Sequence, residues 1–169
     1  MVMNRAELCG AIVVASSLAF AGSAYAADYG KEKAQILDIE RHMAAAQTAA
    51  EVTKYFAPDI VFEDFFPGEV RGAAVVGADL VKQFSAVEDL KDDILEISAD
   101  ADHHLGYAYS IQRMAWTDKP SHKRMDVVFR QTDLYRKSGN TWQLAYQHLS
   151  LPADFKTGKI VPNAAPPKE

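Results

Sequence analysis

From Tyr29 to Phe56 apolar residues recur at every third or fourth position, through Ile36, Ile39, Met43, Ala46 and Ala50. That spacing predicts a helix, with a break near Gln47-Thr48 before Val52 and Phe56 continue it. Pro58 ends the helical pattern. Asp59 to Phe65 then alternates, with Ile60, Phe62 and Asp64 on one side and Val61, Glu63 and Phe65 on the other, which predicts a short strand. Pro67-Gly68 turns the chain, and Gly72 opens a second helix, Ala73 to Phe84, whose packed side is Val76, Leu80, Val81 and Phe84.

Beyond Leu90 the period changes from helical to strand-like. Asp93 to Ala99, Gly106 to Thr117, Lys123 to Arg136 and Thr141 to Leu151 are rich in branched and aromatic residues and alternate in polarity. The turns between them fall at Ala101 to His104, Asp118 to Ser121 and Ser138 to Asn140. Helices followed by successive antiparallel strands predict an α+β domain in which the helices cover a strongly curved antiparallel sheet, making a cone with a pocket at its mouth. After Pro152 periodicity is lost and the chain ends Ala-Ala-Pro-Pro-Lys-Glu, so 153–169 reads as a tail.

The N-terminal stretch has a different character. Arg5, an apolar run from Ala11 to Ala21 and the motif Ala24-Tyr25-Ala26 predict a cleaved export signal over 1–27, which leaves 28–152 as one domain in the periplasm or outside the cell. Cys9, the one cysteine of the chain, leaves with that signal, so neither a disulfide nor a thiolate metal site is expected. A net charge of −5 with no run of Lys or Arg argues against nucleic acid. The expected partner is a small molecule, and no membrane contact is expected after the signal is removed.

Candidate chemistry lies on the last hairpin. A two-residue loop at Ser138-Gly139 would set Tyr135 opposite Trp142 and put Gln131, Asp133 and Tyr135 on the inner face with Trp142, Leu144, Tyr146, His148 and Ser150. A carboxylate and an imidazole inside an apolar cone shift each other's pKa and are raw material for proton transfer. Two bland readings compete with this. His148 is equally read as a core histidine satisfied by hydrogen bonds, and Asp133 as the ion-pair partner of Arg113. Tyr109 and Arg113, on one face of their strand, are either pocket groups or a cross-strand pair. Trp116, on the opposite face from Tyr109, is a candidate subunit contact. Asp100, Asp102, His103 and His104 carry metal-ligand side chains but read as a solvated turn, so no metal is expected.

The run Tyr55-Phe56-Ala57-Pro58-Asp59-Ile60-Val61-Phe62-Glu63-Asp64 resembles the segment of bacterial ketosteroid isomerases that ends in their catalytic base, and Gly72 with the helix after it fits the same pattern. The ending Trp142, His148, Ser150, after Thr132 and Tyr135, resembles the final hairpin of the association domain of calcium/calmodulin-dependent kinase II. Both belong to the nuclear transport factor 2-like superfamily, with the SnoaL-like polyketide cyclases, and the similarity spans Tyr29 to Pro152. It implies a cystatin-like, helix-covered cone. It also implies Asp64 as the counterpart of the base.

The departures argue against a steroid isomerase. Where that family has a tyrosine on the first helix this chain offers Glu40 or His42, and Asp133 reverses the charge of the arginine that follows the matching threonine in the kinase domain. The expectation is an exported domain binding a small apolar or carbonyl-containing ligand, with Asp64 as base, Asp133 and His148 as the acid or orienting pair, and Phe62, Tyr109, Arg113, Gln131, Trp142, Tyr146 and Ser150 as lining. Proton abstraction beside a carbonyl, as in isomerisation, cyclisation or dehydration, calls for no metal or organic cofactor. The alternative is a non-catalytic homodimeric binding or assembly module.

Overall fold

A computed structural model describes residues 21–65 and 68–162. The part of the expected export signal before Ala21 lies outside the described residues, as does the last stretch of the tail, 163–169. Helix α1 (Ala21–Ala44) is followed by a short helix α2 (Ala49–Thr53). The break between them is chemical. Thr48 sits in extended backbone, its hydroxyl accepts from the Glu51 N–H, and the Glu51 carboxylate returns to the Thr48 N–H at 3.0 Å, a capping box that starts a new helix.

Strand β1 (Phe56–Glu63) leads through β2 (Glu69–Arg71) to α3 (Ala73–Ala86), and β3 (Val87–Ala101), β4 (Leu105–Asp118), β5 (Lys123–Ser138) and β6 (Thr141–Ser150) complete one sheet of order β2-β1-β6-β5-β4-β3. Pairing is antiparallel throughout except where β1 lies parallel to β6. The three-residue β2 and the parallel β1–β6 contact are additions to the predicted layout. Pro58 sits inside β1, not at a helix end, where the β1–β6 register is interrupted between Phe56 and Val61.

The core lies between the concave face of the sheet and the helices. Ile36 of α1, Phe56 and Ile60 of β1, Val76 and Leu80 of α3, Ala99, Ala108, Tyr135, Trp142 and Leu144 form one buried cluster. Close approach of α1 depends on Gly106, where a Cβ would run into Ile36 Cδ1.

The β5–β6 hairpin differs from its predicted register in two ways. Its loop is Gly139-Asn140, with Gly139 at φ 60°, so Lys137 faces Trp142 and Tyr135 faces Leu144. A shift of this kind by two residues keeps every side chain on its face. The second difference does not. Leu134 pairs with Tyr146 and Tyr135 with Leu144, leaving Ala145 as an extra residue in β6, and such a bulge reverses the in-out alternation beyond it. Trp142 and Leu144 therefore point inward before the bulge and Gln147 after it, while Tyr146 and His148 pass to the outer face. The predicted grouping of Tyr146, His148 and Ser150 with Asp133 on one inner face is corrected accordingly.

The described part of the tail is ordered into a small hairpin. Ala153 bridges Ile160, the Val161 N–H reaches the Pro152 carbonyl at 2.8 Å, and the Pro162 carbonyl accepts from the Val128 N–H on β5.

Candidate functional site

Two places in the domain collect chemistry, and they are separate. The first is a cleft of about 470 Å³ between α3 and the β1–β2 pair, a size ordinary for small-molecule sites. Phe62, Val70, Val76 and Leu80 supply its apolar walls, and Asp64, Glu69, Asp79, Lys82 and Gln83 its polar groups. Alternation along β1 buries Ile60 and Phe62, and the next residue in that series, Asp64, falls just past the strand end, half-buried. Its carboxylate accepts from the Gln83 side-chain amide of α3 at 3.1 Å and from the Phe65 N–H at 2.6 Å. Phe65 then packs edge-on to Phe129 of β5, ring centroids 5.3 Å apart, which ties the residue beside Asp64 to the concave sheet. Other charges at the rim are matched within the chain, Lys82 by Asp79 at 2.9 Å and Glu69 by Arg71 at 2.5 Å.

The second place is sealed. On the concave face Asp133 is 0% exposed, and Glu40 reaches it from α1 at 1% exposure. Asp133 Oδ2 accepts from the side-chain amides of Gln131 at 2.7 Å and Gln147 at 3.1 Å. Glu40 accepts from the Tyr135 hydroxyl at 2.6 Å and from Gln131 at 3.4 Å. The carboxyls of Glu40 and Asp133 lie within hydrogen-bond reach of each other, yet two carboxylates have no proton to place between them, and Asp133 Oδ1 has no donor of its own. A proton held by Asp133 resolves this: Asp133 would be the acid that donates and Glu40 the carboxylate that accepts, the sense in which their bond raises Asp133 and lowers Glu40.

Electrostatics agree with that assignment. Burial, followed by the charge of Glu40, pushes Asp133 well above the usual aspartate range. Burial also raises Glu40, against the bonds it accepts from Asp133 and Tyr135. Tyr135 is held well above the normal tyrosine range by burial and by both carboxyls.

Trp142, at the narrow end, donates through Nε1 to Glu32 at 2.7 Å, and Lys137 pairs with the same carboxylate. Burial opposes ionisation of Glu32, but these two bonds outweigh it and hold the carboxyl below its ordinary range. Trp142 thus anchors α1 and lies outside the lining of the cleft beside Asp64.

The remaining predicted residues lie elsewhere. Arg113 is exposed and takes a two-pronged bond to Asp126, at 2.9 and 2.6 Å, so it does not pair with Asp133. Tyr109 is exposed on the outer face, opposite Thr132. His148 is exposed on that face beside Glu63 and Thr132. Tyr146 donates to Glu63 at 2.8 Å, and that bond raises its pKa. Ser150 ends β6 opposite Arg130. Asp64, Asp133 and His148 therefore occupy three surfaces: cleft, sealed core and outer face. They do not form one constellation.

Trp116 shares the concave series of Gln112 and Met114 and is half-buried. Asp102 caps its own turn, accepting from the N–H groups of His104 at 2.6 Å and Leu105 at 2.7 Å.

Five buried polar residues among those described fall outside the predicted set: Glu32, Glu40, Ser110, Gln112 and Gln147. Glu40 and Glu32 stand four residues to either side of Ile36, so the helical period already put both on the packed face of α1. Gln147 carries no such signal, because only the bulge turns it inward. Asp92, opposite Met114 on β3, is a carboxyl that burial and the neighbouring Asp93 push up to about 7.

Comparison with known proteins agrees with this architecture. No curated protein matches the chain. An NTF2-like protein of unknown function from Pseudomonas putida superposes with a TM-score of 0.72 at 20% identity, covering 81% of this chain and 98% of that one. A ketosteroid isomerase-like protein from Erwinia carotovora atroseptica gives 0.63 at 18%, covering 72% and 96%, and an uncharacterized protein with a cystatin-like fold from Caulobacter vibrioides 0.60 at 16%, covering 69% and 86%. Likeness at such identities establishes the fold. The family follows from the sequence itself: the model of the SnoaL-like domain matches residues 36–154, most of the chain and every strand of the sheet, and the chain belongs to the SnoaL-like family.

Proposed function

We propose that this domain binds a small, largely apolar molecule in the cleft between α3 and the β1–β2 pair, and that Asp64 acts there as a general base. The observation that carries the reading is the Asp64 carboxylate, steadied by Gln83 at the edge of a cavity walled by Phe62, Val70, Val76 and Leu80. A carboxylate beside apolar walls suits removal of a proton next to a carbonyl, and this step uses only positioned acids and bases. The developing oxygen charge would be met by the two nitrogen donors of the lining, Lys82 Nζ and Gln83 Nε2. Asp133 and His148 take no part in contacting the ligand. On the leader pattern of 1–27, the domain acts after export.

The test uses a panel of neutral cyclic ketones in deuterated buffer, with NMR reading exchange of the protons beside the carbonyl. The native chain is expected to accelerate exchange for at least one member and Asp64→Asn to abolish it with folding unchanged. Equal exchange by both proteins removes Asp64 as the base.

The outer face of the sheet favours a second reading, a dimeric binding module without chemistry. In that case Asp64→Asn leaves ligand binding intact and no ketone exchanges above the buffer rate.

A further inference from the structure

We propose that the cleft beside Asp64 takes an apolar molecule bearing one cationic nitrogen, an ammonium group seated against the Asp64 carboxylate. The inference rests on the cleft being the ligand site and adds the charge of its ligand. Every other charge of the lining is matched by the chain itself. Asp79 holds Lys82 at 2.9 Å along α3, and Glu69 holds Arg71 on β2 at 2.5 Å. Asp64 is matched by no cation among the described residues. Its Oδ1 accepts from the Phe65 N–H at 2.6 Å and its Oδ2 from the Gln83 side-chain amide at 3.1 Å, both neutral donors.

A neutral amide orients a carboxylate without cancelling its charge. Each oxygen of Asp64 accepts from one such donor, and a carboxylate oxygen can accept a second, so the group is held in place and still able to receive an ammonium. Phe62, Val70, Val76 and Leu80 make the walls around it apolar. A half-buried charge among such walls is screened less than one on the open surface.

This arrangement sorts ligands by charge. A carboxylate or phosphate brought into the cleft meets Asp64 as a like charge and loses its own hydration besides. A neutral hydrocarbon gains the apolar walls but strips water from Asp64 without replacing it. An ammonium supplies an opposite charge at the one carboxylate for which the chain supplies none, through a charge-assisted hydrogen bond, while its hydrocarbon body takes the walls. The pairing also suits proton abstraction beside a carbonyl. A positive charge on the ligand makes the neighbouring C–H more acidic and steadies the anion left behind, so a ketone that carries a protonated amine meets both requirements.

The experiment is calorimetric titration of the chain at neutral pH and low salt with probes that share one compact hydrocarbon cage and differ in charge: 1-adamantylamine, 1-adamantanol and adamantane-1-carboxylate. The amine is expected to bind about tenfold more tightly than the alcohol, and the carboxylate more weakly than either. Asp64→Asn keeps the shape and removes the charge, so amine and alcohol should then bind alike, with circular dichroism confirming the fold. Lys82→Gln frees Asp79 in the same lining and should widen the amine-to-carboxylate ratio by about threefold, which decides the question if Asp64→Asn fails to fold. An alcohol that binds the native chain as tightly as the amine overturns the charge assignment and leaves the cleft standing as a ligand site. An amine preference that survives Asp64→Asn, amine binding that survives Val70→Trp, or a ratio that Lys82→Gln leaves unchanged or narrows also overturns it. If none of the probes binds, the cleft reading falls and the charge assignment falls with it.

Discussion

Asp133 and Glu40 meet inside the domain with their carboxyls within hydrogen-bond reach, the first held by two glutamine amides and the second by a tyrosine hydroxyl. This pair joins α1 to the middle of the sheet. Both carboxyls titrate above their unfolded values, so their contribution to stability is complete below the ordinary carboxylate range and is lost as pH rises through the folded-state values. Asp133→Asn keeps a donor toward Glu40 and removes the proton that must be given up. Thermal unfolding followed from pH 5 to pH 9 should show the native melting temperature falling at the alkaline end and the variant curve flatter. Parallel curves would mean the pair does not share a proton.

Asp92 gives a second pH response at a different place. Its folded pKa of about 7 lies above the unfolded aspartate value, so stability is lost as pH rises toward and through about 7. Asp92→Asn should remove that part of the slope and leave the part due to Asp133. Carboxyl NMR on selectively labelled protein reads the same titration directly, and an Asp92 midpoint near 4 would contradict the account.

The bulge at Ala145 separates two neighbours in sequence by their effects. Gln147→Ala removes one of the two amides on Asp133 Oδ2 and should cost about 1–3 kcal/mol, because a buried polar group loses its partner. His148→Ala, on the outer face, should stay within about 0.5 kcal/mol. Urea unfolding of both variants checks the order. A larger loss for His148→Ala would put the histidine back inside the cone.

Those two residues also show how far the sequence is legible. Alternation along Lys123 to Arg136 was enough to place Gln131, Asp133 and Tyr135 on the buried face, since a regular strand has only two faces to choose from. The same reasoning failed from Tyr146 onward, because a bulge is one extra residue with no side-chain signature, and it inverts everything after it. Period also placed Ile36 and Met43 on the packed face of α1, but a periodic pattern does not say that Glu40 will find Asp133 across 93 residues of chain. Short β2 and the parallel β1–β6 pairing depend on contacts distant in sequence, and local propensity carries little of that information. Asp64 lay at the end of a readable strand, and the position of Gln83 beside it came only with the packing of α3.

Packing of α1 provides a further check. Gly106→Ala places a methyl group against Ile36, and should destabilise the domain by about 1–3 kcal/mol through overpacking. Ile36→Val in the same chain should recover part of that loss, read by the unfolding midpoint in urea. If Gly106→Ala is neutral, the helix does not sit as closely on β4 as described.

The central claim, that the cleft beside Asp64 is the ligand site, is tested most directly by titrating the chain with Nile red, a neutral apolar probe, alongside Val70→Trp, which fills the cleft, and Thr132→Arg, which alters the outer face. The account predicts saturable one-to-one binding that Val70→Trp abolishes and Thr132→Arg preserves. Binding that survives Val70→Trp, or that is lost with Thr132→Arg, would contradict it.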